Sequence, residues 1–203
     1  MSSNHNRQRL RVVGLAIVVA SAFLIVGCAI PKSPVSYVPQ QNVQAIRGAD
    51  TVAVEVKVED LQADPSVSVW DWLNPVDRKQ YIGVKNAADT IKEAAETELG
   101  ARGFRIGSGD ALVTIQLGRF GALVEEGFWT VSEHGLLATL VQVERPKGKI
   151  LYSKVVAGEG DPDRGYVYVR SPKKELEETL ADTLKRLFAD PRFTAAILAT
   201  RKP

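Results

Sequence analysis

Near the N-terminus, 15 consecutive residues from Val12 to Val26 carry no charge. Three arginines and no acidic residue precede the run. A helix that crosses a bilayer needs about 20 apolar residues, so the run is short for a permanent anchor and has the length typical of a secretory signal peptide. We predict that residues 1–27 are a signal peptide, with a short uncleaved anchor as the alternative.

The only cysteine of the chain, Cys28, ends this segment. The sequence Ile25-Val26-Gly27-Cys28 resembles the lipobox of bacterial lipoproteins. The resemblance implies that Cys28 becomes the first residue of the mature chain and carries acyl groups on its thiol and its new amine. Two or three acyl chains on one residue hold a protein firmly on a membrane. Because Ala29 rather than aspartate follows, the resemblance implies the outer membrane, facing the periplasm, with the inner membrane as the alternative.

Composition excludes several classes of function. The 26 basic and 24 acidic residues give a net charge of +2, which provides no basic field for nucleic acid. One cysteine cannot form an internal disulfide, and two histidines provide few ligands for a transition metal. We therefore expect no nucleic-acid partner, no metal and no cofactor.

The mature chain divides into a tether and one domain. Residues 28–49 contain three prolines among polar residues, and we predict an extended tether that lifts the domain off the bilayer. Residues 50–203 are long enough for a single core that buries about 70% of the unfolded chain's surface. We predict that they form one domain facing the periplasm.

The hydrophobic patterns predict strands and helices within that domain. Alternating valines predict a strand over 51–58, and apolar spacing predicts a helix over 87–102, with Asn86 as N-cap, Gly103 as the stop and Glu98 on the solvated side. Further strands are predicted over 111–117, 136–144 and 149–157, and further helices from Pro172 and Pro191. We predict an α+β two-layer sandwich, in which two main helices pack on one face of a mostly antiparallel four-stranded sheet.

Motifs for catalysis or ion binding are weak. The segment Gly107-Ser-Gly-Asp110 lacks the third glycine of a dinucleotide loop, and we interpret it as a turn. Ser132, Glu133 and His134 are adjacent in sequence, whereas a catalytic triad converges from separate elements. Glu159, Asp161 and Asp163 alternate as in a calcium loop but lack its closing glutamate. We predict that the protein is not an enzyme.

One stretch contains a candidate interaction site. Two of the three tryptophans, Trp70 and Trp72, lie with Leu73 in a loop bounded by prolines. Tryptophan is enriched at binding hot spots because it buries a large area at little entropic cost. The alternative is that these rings pack on their own domain.

Several short motifs follow one another along the chain. They are Asp77-Arg78, Ile82-Gly-Val-Lys-Asn86, Leu99-Gly-Ala-Arg-Gly-Phe104 and Phe188-Ala-Asp-Pro-Arg-Phe193. With the lipobox, they resemble the YajG family of uncharacterised bacterial lipoproteins, over about residues 50–198. The resemblance implies a small outer-membrane lipoprotein without an established enzymatic activity.

Three functions are compatible with these features of the sequence. We favour a non-enzymatic accessory or interaction module that binds an unknown envelope protein. The first alternative is a carrier that binds a lipid or cell-wall ligand between helices and sheet. The second is a hydrolase that uses a carboxylate pair, either Glu125 with Glu126 or Asp161 with Asp163, although neighbouring residues on a strand point to opposite faces.

Overall fold

The computed structural model describes residues 32–62, 78–126, 131–146, 148–159, 163–165 and 172–201. The predicted signal peptide, Cys28 and the loop with Trp70, Trp72 and Leu73 lie outside these residues. Within them, no helix has both the length and the apolar character needed to cross a membrane.

The described residues form eight strands and three α-helices. The strands are β1 (Lys32–Ser33), β2 (Ala53–Asp60), β3 (Arg78–Val84), β4 (Arg105–Ile106), β5 (Ala111–Glu126), β6 (Val131–Glu144), β7 (Ile150–Glu159) and β8 (Asp163–Gly165). The helices are α1 (Ala87–Ala101), α2 (Pro172–Ala189) and α3 (Pro191–Leu198), and a single 3₁₀ turn spans Ala49–Thr51.

The centre of the sheet is the long antiparallel pair of β5 and β6, with a register shift between Leu117 and Arg119. One edge of β5 takes two strands in succession, β2 in parallel and then β3 in antiparallel orientation. The other edge of β6 likewise takes β7 and then β8. β1 and β4 extend the sheet in parallel beside β3 and β2.

The prediction of a mostly antiparallel four-stranded sheet is therefore wrong. The sheet of the described residues has eight strands and is mixed, with three parallel pairs. The full length of β5 was not predicted because the strand continues through Gly118 and Gly121, and glycine weakens the alternating pattern of a strand. The α+β class holds, and both long helices line the same interior.

The predicted helices are confirmed with small changes. α1 ends where Gly103 adopts a left-handed conformation (φ +94°), and the backbone N–H of Phe104 donates to the carbonyl of Leu99. Asn86 precedes the helix at φ +53°, but its side chain makes no capping hydrogen bond. At the start of α3, Asp190 accepts a hydrogen bond from the backbone N–H of Arg192.

α2 packs against the sheet over two glycines, Gly135 and Gly158. A Cβ placed on Gly158 would lie 2.0 Å from Oγ1 of Thr183 and 3.0 Å from the carbonyl of Thr179. A Cβ on Gly135 would lie 2.0 Å from Oγ1 of Thr179. Only glycine leaves room for this approach, so the two residues set the depth at which α2 packs on β6 and β7.

The segment predicted as a tether contacts the domain. β1 pairs with β3, and the residues that follow it hydrogen-bond to α1 and α2. Residues 32–46 have little regular structure beyond β1 and a turn at Gln41 and Asn42, yet they do not form a free spacer. The sequence predicts an extended tether with an early strand near residues 43–46 as an alternative; the structure has no strand there, and the pairing of β1 and side-chain contacts to α1 hold the segment instead.

Candidate functional site

Residues 34–46, here called the strap, cross from α2 to α1 over the helix layer. The backbone N–H of Ser36 donates to Oε1 of Glu177 on α2 at 3.1 Å. The backbone N–H of Gln40 donates to Oε1 of Glu98 on α1 at 2.9 Å. The strap thus joins the residues nearest the predicted anchor to both long helices.

Beneath the strap lies a buried ion pair between Glu98 on α1 and Arg102, which follows one turn later and caps the C-terminus of α1. Glu98 is fully buried and Arg102 is 8% exposed. The carboxylate of Glu98 also accepts a hydrogen bond from the hydroxyl of Tyr37. Nη2 of Arg102 donates to Oε1 of Gln40 at 3.3 Å. These four side chains form one polar network, which we call the latch.

The electrostatics of the latch favour the charged state of Glu98. Burial alone raises the pKa of its carboxyl, but hydrogen bonds from Gln40, Tyr37 and Arg102 outweigh that effect and hold the pKa below its usual value. Burial and the neighbouring carboxylate raise the pKa of Tyr37. At neutral pH the latch therefore contains a carboxylate, a guanidinium and a neutral phenol.

Arg102 also connects the latch to α2. Its guanidinium carbon lies 3.9 Å from the centre of the Phe188 ring, within the range of a cation–π interaction. The backbone carbonyl of Arg102 accepts a hydrogen bond from Ile46 in the strap. The latch therefore joins the strap, α1 and α2, and its buried groups are suited to holding these elements together.

The helical pattern predicts Glu98 on the solvated side of the helix, and that prediction is wrong because Glu98 is fully buried. A usable signal existed, because Glu98 lies seven residues after Ile91 and three after Ala95, which are both on the apolar stripe. Arg102 follows at the spacing of a helical ion pair. The buried partner from the strap, Tyr37, lies 61 residues away in sequence and had no local signal.

The interior between the helices and the sheet is nearly filled. A cavity of about 10 Å³ remains there, lined by apolar side chains that include Ile91, Ile115 and Leu180. This is about the space that one water molecule requires. The groove between helices and sheet that a lipid carrier needs is therefore closed at this place.

A second buried acidic group lies where β6 meets the first turn of α2. Glu133 is 5% exposed, and neither of its carboxylate oxygens has a hydrogen-bond partner in the described part of the chain. Glu175 lies nearby and accepts a hydrogen bond from the backbone N–H of Gly135 at 3.2 Å. Burial, with a contribution from Glu175, raises the pKa of Glu133. Among the described side chains, no group of three or more residues could hold a metal ion.

We expect Glu133→Gln to raise the midpoint of thermal unfolding at pH 7. A carboxyl whose pKa is raised by folding stabilises the native state only while it is protonated, and this contribution is lost as the pH rises above the unfolded value. The gain should therefore shrink as the pH is lowered towards 4, where the wild-type group is itself neutral. Thermal unfolding followed by circular dichroism between pH 4 and 8 measures it. An equal gain at both ends of the range would contradict this assignment.

The other weak motifs do not form a catalytic site in the described residues. Glu133 faces the interior, and His134 lies on the opposite, outer face of β6, so the two cannot converge. Gly107 and Asp110 lie in the turn between β4 and β5, as predicted. Asp161 lies outside the described residues.

The outer face of the sheet, away from the helices, contains an apolar patch. It consists of five residues that we call the outer strip: Leu136, Ala138, Leu140, Val155 and Ala157. In the register of β6 and β7, Leu140 is opposite Val155 and Ala138 is opposite Ala157, so their side chains share one face. Val155 is 66% exposed and Ala157 is exposed, whereas the three residues on β6 are half-buried. On β2, the same outer face is charged and contains the ion pair of Lys57 and Glu59 at 2.8 Å.

The sequence of this chain matches a known protein family. Residues 39–198 match the family described as "uncharacterized lipoprotein". The chain belongs to this family. The resemblance to YajG proteins is thereby confirmed, and membership of a lipoprotein family indicates a membrane-anchored protein of the cell envelope.

Other comparisons add little to the family assignment. No curated protein matches this lipoprotein. Among solved structures, it is similar to one described as a neuraminyllactose-binding hemagglutinin homolog from Helicobacter pylori, with 5% identity and a TM-score of 0.39. That match covers 87% of this chain and 100% of the other. A likeness at this level carries no conclusion about the fold or the ligand.

Proposed function

We propose that this lipoprotein is a non-enzymatic interaction module, anchored by acyl chains on Cys28 and facing the periplasm from the outer membrane. The family assignment supports an anchored envelope protein, and the lipobox-like residues before Cys28 supply the attachment point. The carboxylate and guanidinium of the latch are buried, and the carboxylate is paired with both the guanidinium and the phenol. This arrangement supports a domain that is held in one conformation.

The observation that carries the proposed interaction is the outer strip. The outer face of a one-sided sheet is ordinarily polar, whereas here Val155, Ala157 and three neighbours on β6 form an apolar surface. Exposed apolar patches on soluble domains are characteristic of interaction sites. The partner that fits is an envelope protein with an apolar surface of its own.

The loop with Trp70, Trp72 and Leu73 belongs to the same proposal as a second contact. Two tryptophans and a leucine are the kind of residues found at binding hot spots. These three residues lie outside the described part of the chain. The carrier alternative is weakened by the cavity of about 10 Å³ between the helices and the sheet. A lipid requires a space of several hundred Å³.

Site-specific crosslinking in cells tests the interaction. A photo-reactive amino acid in place of Val155 should give a defined adduct with an envelope protein. The same residue in place of Glu55, which is exposed on the charged part of the outer face, should not. When Trp72→Ala is added to the variant with the photo-reactive residue at position 155, the amount of adduct should fall, because the predicted loop contributes to the contact. The absence of an adduct at Val155, or the same adduct at both positions, would contradict the proposal.

A further inference from the structure

The place where the folded domain begins determines which of its edges is near the anchor. Pairing starts at Lys32, which lies opposite Gly83 in β3. Cys28 precedes Lys32 by four residues, and four extended residues span at most about 14 Å. With acyl chains on Cys28, no part of the chain could act as a long spacer before the domain.

The spacer between Cys28 and the domain could be longer only if the strap detached from the domain. Release of residues 32–46 would require the loss of the pairing of β1 with β3 and of the hydrogen bonds from Ser36, Gln40 and Ile46. It would also expose the latch, with its fully buried Glu98. The loss of one partner of a buried ion pair costs free energy, because the remaining charge is buried without compensation.

We infer that the β1 edge of the sheet, with Lys32 and Lys85, faces the phospholipid headgroups. This inference rests on the anchor at Cys28 in the proposed function. The backbone N–H of Lys85 donates to the carbonyl of Ser33 at 3.0 Å, so Lys85 lies beside the point where the chain enters the domain. Both lysines are exposed. Their charge matches that of anionic lipid headgroups.

The turn between β6 and β7 is displaced from the β1 edge in two directions, along the strands and across the sheet by three strand spacings, about 14 Å. One row of register partners runs from Lys32 through Gly83 and Gly121 to Leu136 on β6. From Leu136 to Glu144, β6 extends for eight residues, about 26 Å along the strand. The turn between β6 and β7, which includes Lys149, lies beyond that point and serves as a control position.

Fluorescence quenching by lipid tests the orientation. The full acylated chain, with Lys85→Cys or Lys149→Cys and one thiol-reactive fluorophore, is placed in vesicles of phosphatidylethanolamine and phosphatidylglycerol with nitroxide headgroups. Acylation blocks the thiol of Cys28, and mass spectrometry verifies it before labelling. We expect strong quenching at position 85 and none at position 149. Equal quenching at both positions, or stronger quenching at position 149, would overturn the inference while leaving the anchor in place.

A spacer variant separates the effect of chain length from that of the surface. Twenty Gly and Ser residues inserted between Ile30 and Pro31 would add a root-mean-square length of about 25 Å. Quenching at position 85 should then be lost. If it persists unchanged, the short link does not set the orientation and the inference fails. Mass spectrometry that finds an unmodified Cys28 in membrane-derived protein would overturn the proposed anchor and this inference together.

Discussion

Arg102→Ala should destabilise the domain by about 3–5 kcal/mol, because it leaves the buried carboxylate of Glu98 without its ion-pair partner. It also removes the cation–π contact with Phe188. Urea denaturation at pH 7 measures the loss. Hydrogen exchange at the backbone N–H of Gln40 should rise in the same variant, because the strap loses the hydrogen bond from Arg102 to Gln40 and the Glu98 carboxylate that holds this N–H loses its ion-pair partner.

The pH dependence gives this substitution a second signature. In the wild type, the lowered pKa of Glu98 means that its contribution is present above the unfolded value and is lost as the pH falls through the folded value. In Arg102→Ala, burial without the arginine should raise that pKa, so acid should reduce the deficit relative to the wild type. The deficit should therefore be larger at pH 7 than at pH 4.

Lys92→Ala is the matched control for Arg102→Ala. Lys92 and Glu96 form an ion pair at the same spacing on α1, at 3.9 Å and on the exposed side. Exposed helical pairs contribute about 0.3–0.5 kcal/mol, so this variant should unfold almost as the wild type does. A similar loss in both variants would contradict the assignment of the latch as a buried network.

Leu180→Ala is the second substitution with a large expected effect, a loss of about 2–5 kcal/mol. Leu180 is fully buried on α2 and lines the small cavity above the sheet. Truncation would enlarge that cavity. The two glycines under α2 already allow the closest approach of helix and sheet, which limits how far the helix could move to fill the space. Calorimetry and urea denaturation measure the effect.

Lys185→Ala provides the control on the same helix. Lys185 is exposed, and alanine favours the helix, so the free energy of unfolding should change by no more than about 0.5 kcal/mol. A near-zero loss for Leu180→Ala would mean that α2 can settle onto the sheet and that the interior is less tightly packed than the described contacts indicate.

Local signals in the sequence predicted the three α-helices of the described residues and four of their eight strands. α1, α2 and α3 followed from apolar spacing, from the prolines at 172 and 191 and from the stop at Gly103, all of which act within a few residues. The hairpin of β6 and β7 followed from the turn at Arg145 and Gly148. These elements form largely through local preferences and a one-sided apolar pattern.

The mixed sheet and the latch depended on partners distant in sequence. β2 lies beside β5 in parallel, which requires a crossover that includes α1, and β1 and β4 are two-residue strands that exist only through their neighbours. Glu98 is charged and lies on a helix, so the sequence favoured solvent exposure. Its burial depends on Tyr37 and Gln40, which reach it only when the strap lies across α1.

The family, the predicted anchor at Cys28 and the α+β class were therefore readable from the chain, because they depend on contiguous residues or on periodicity. The packing of residues 32–46 on the domain and the burial of Glu98 emerged with the folded arrangement. So did the outer strip, which comes together from two strands. The physical reason is that a strand pairing or a buried ion pair gains its free energy between segments far apart in the chain, and no local pattern encodes the partner.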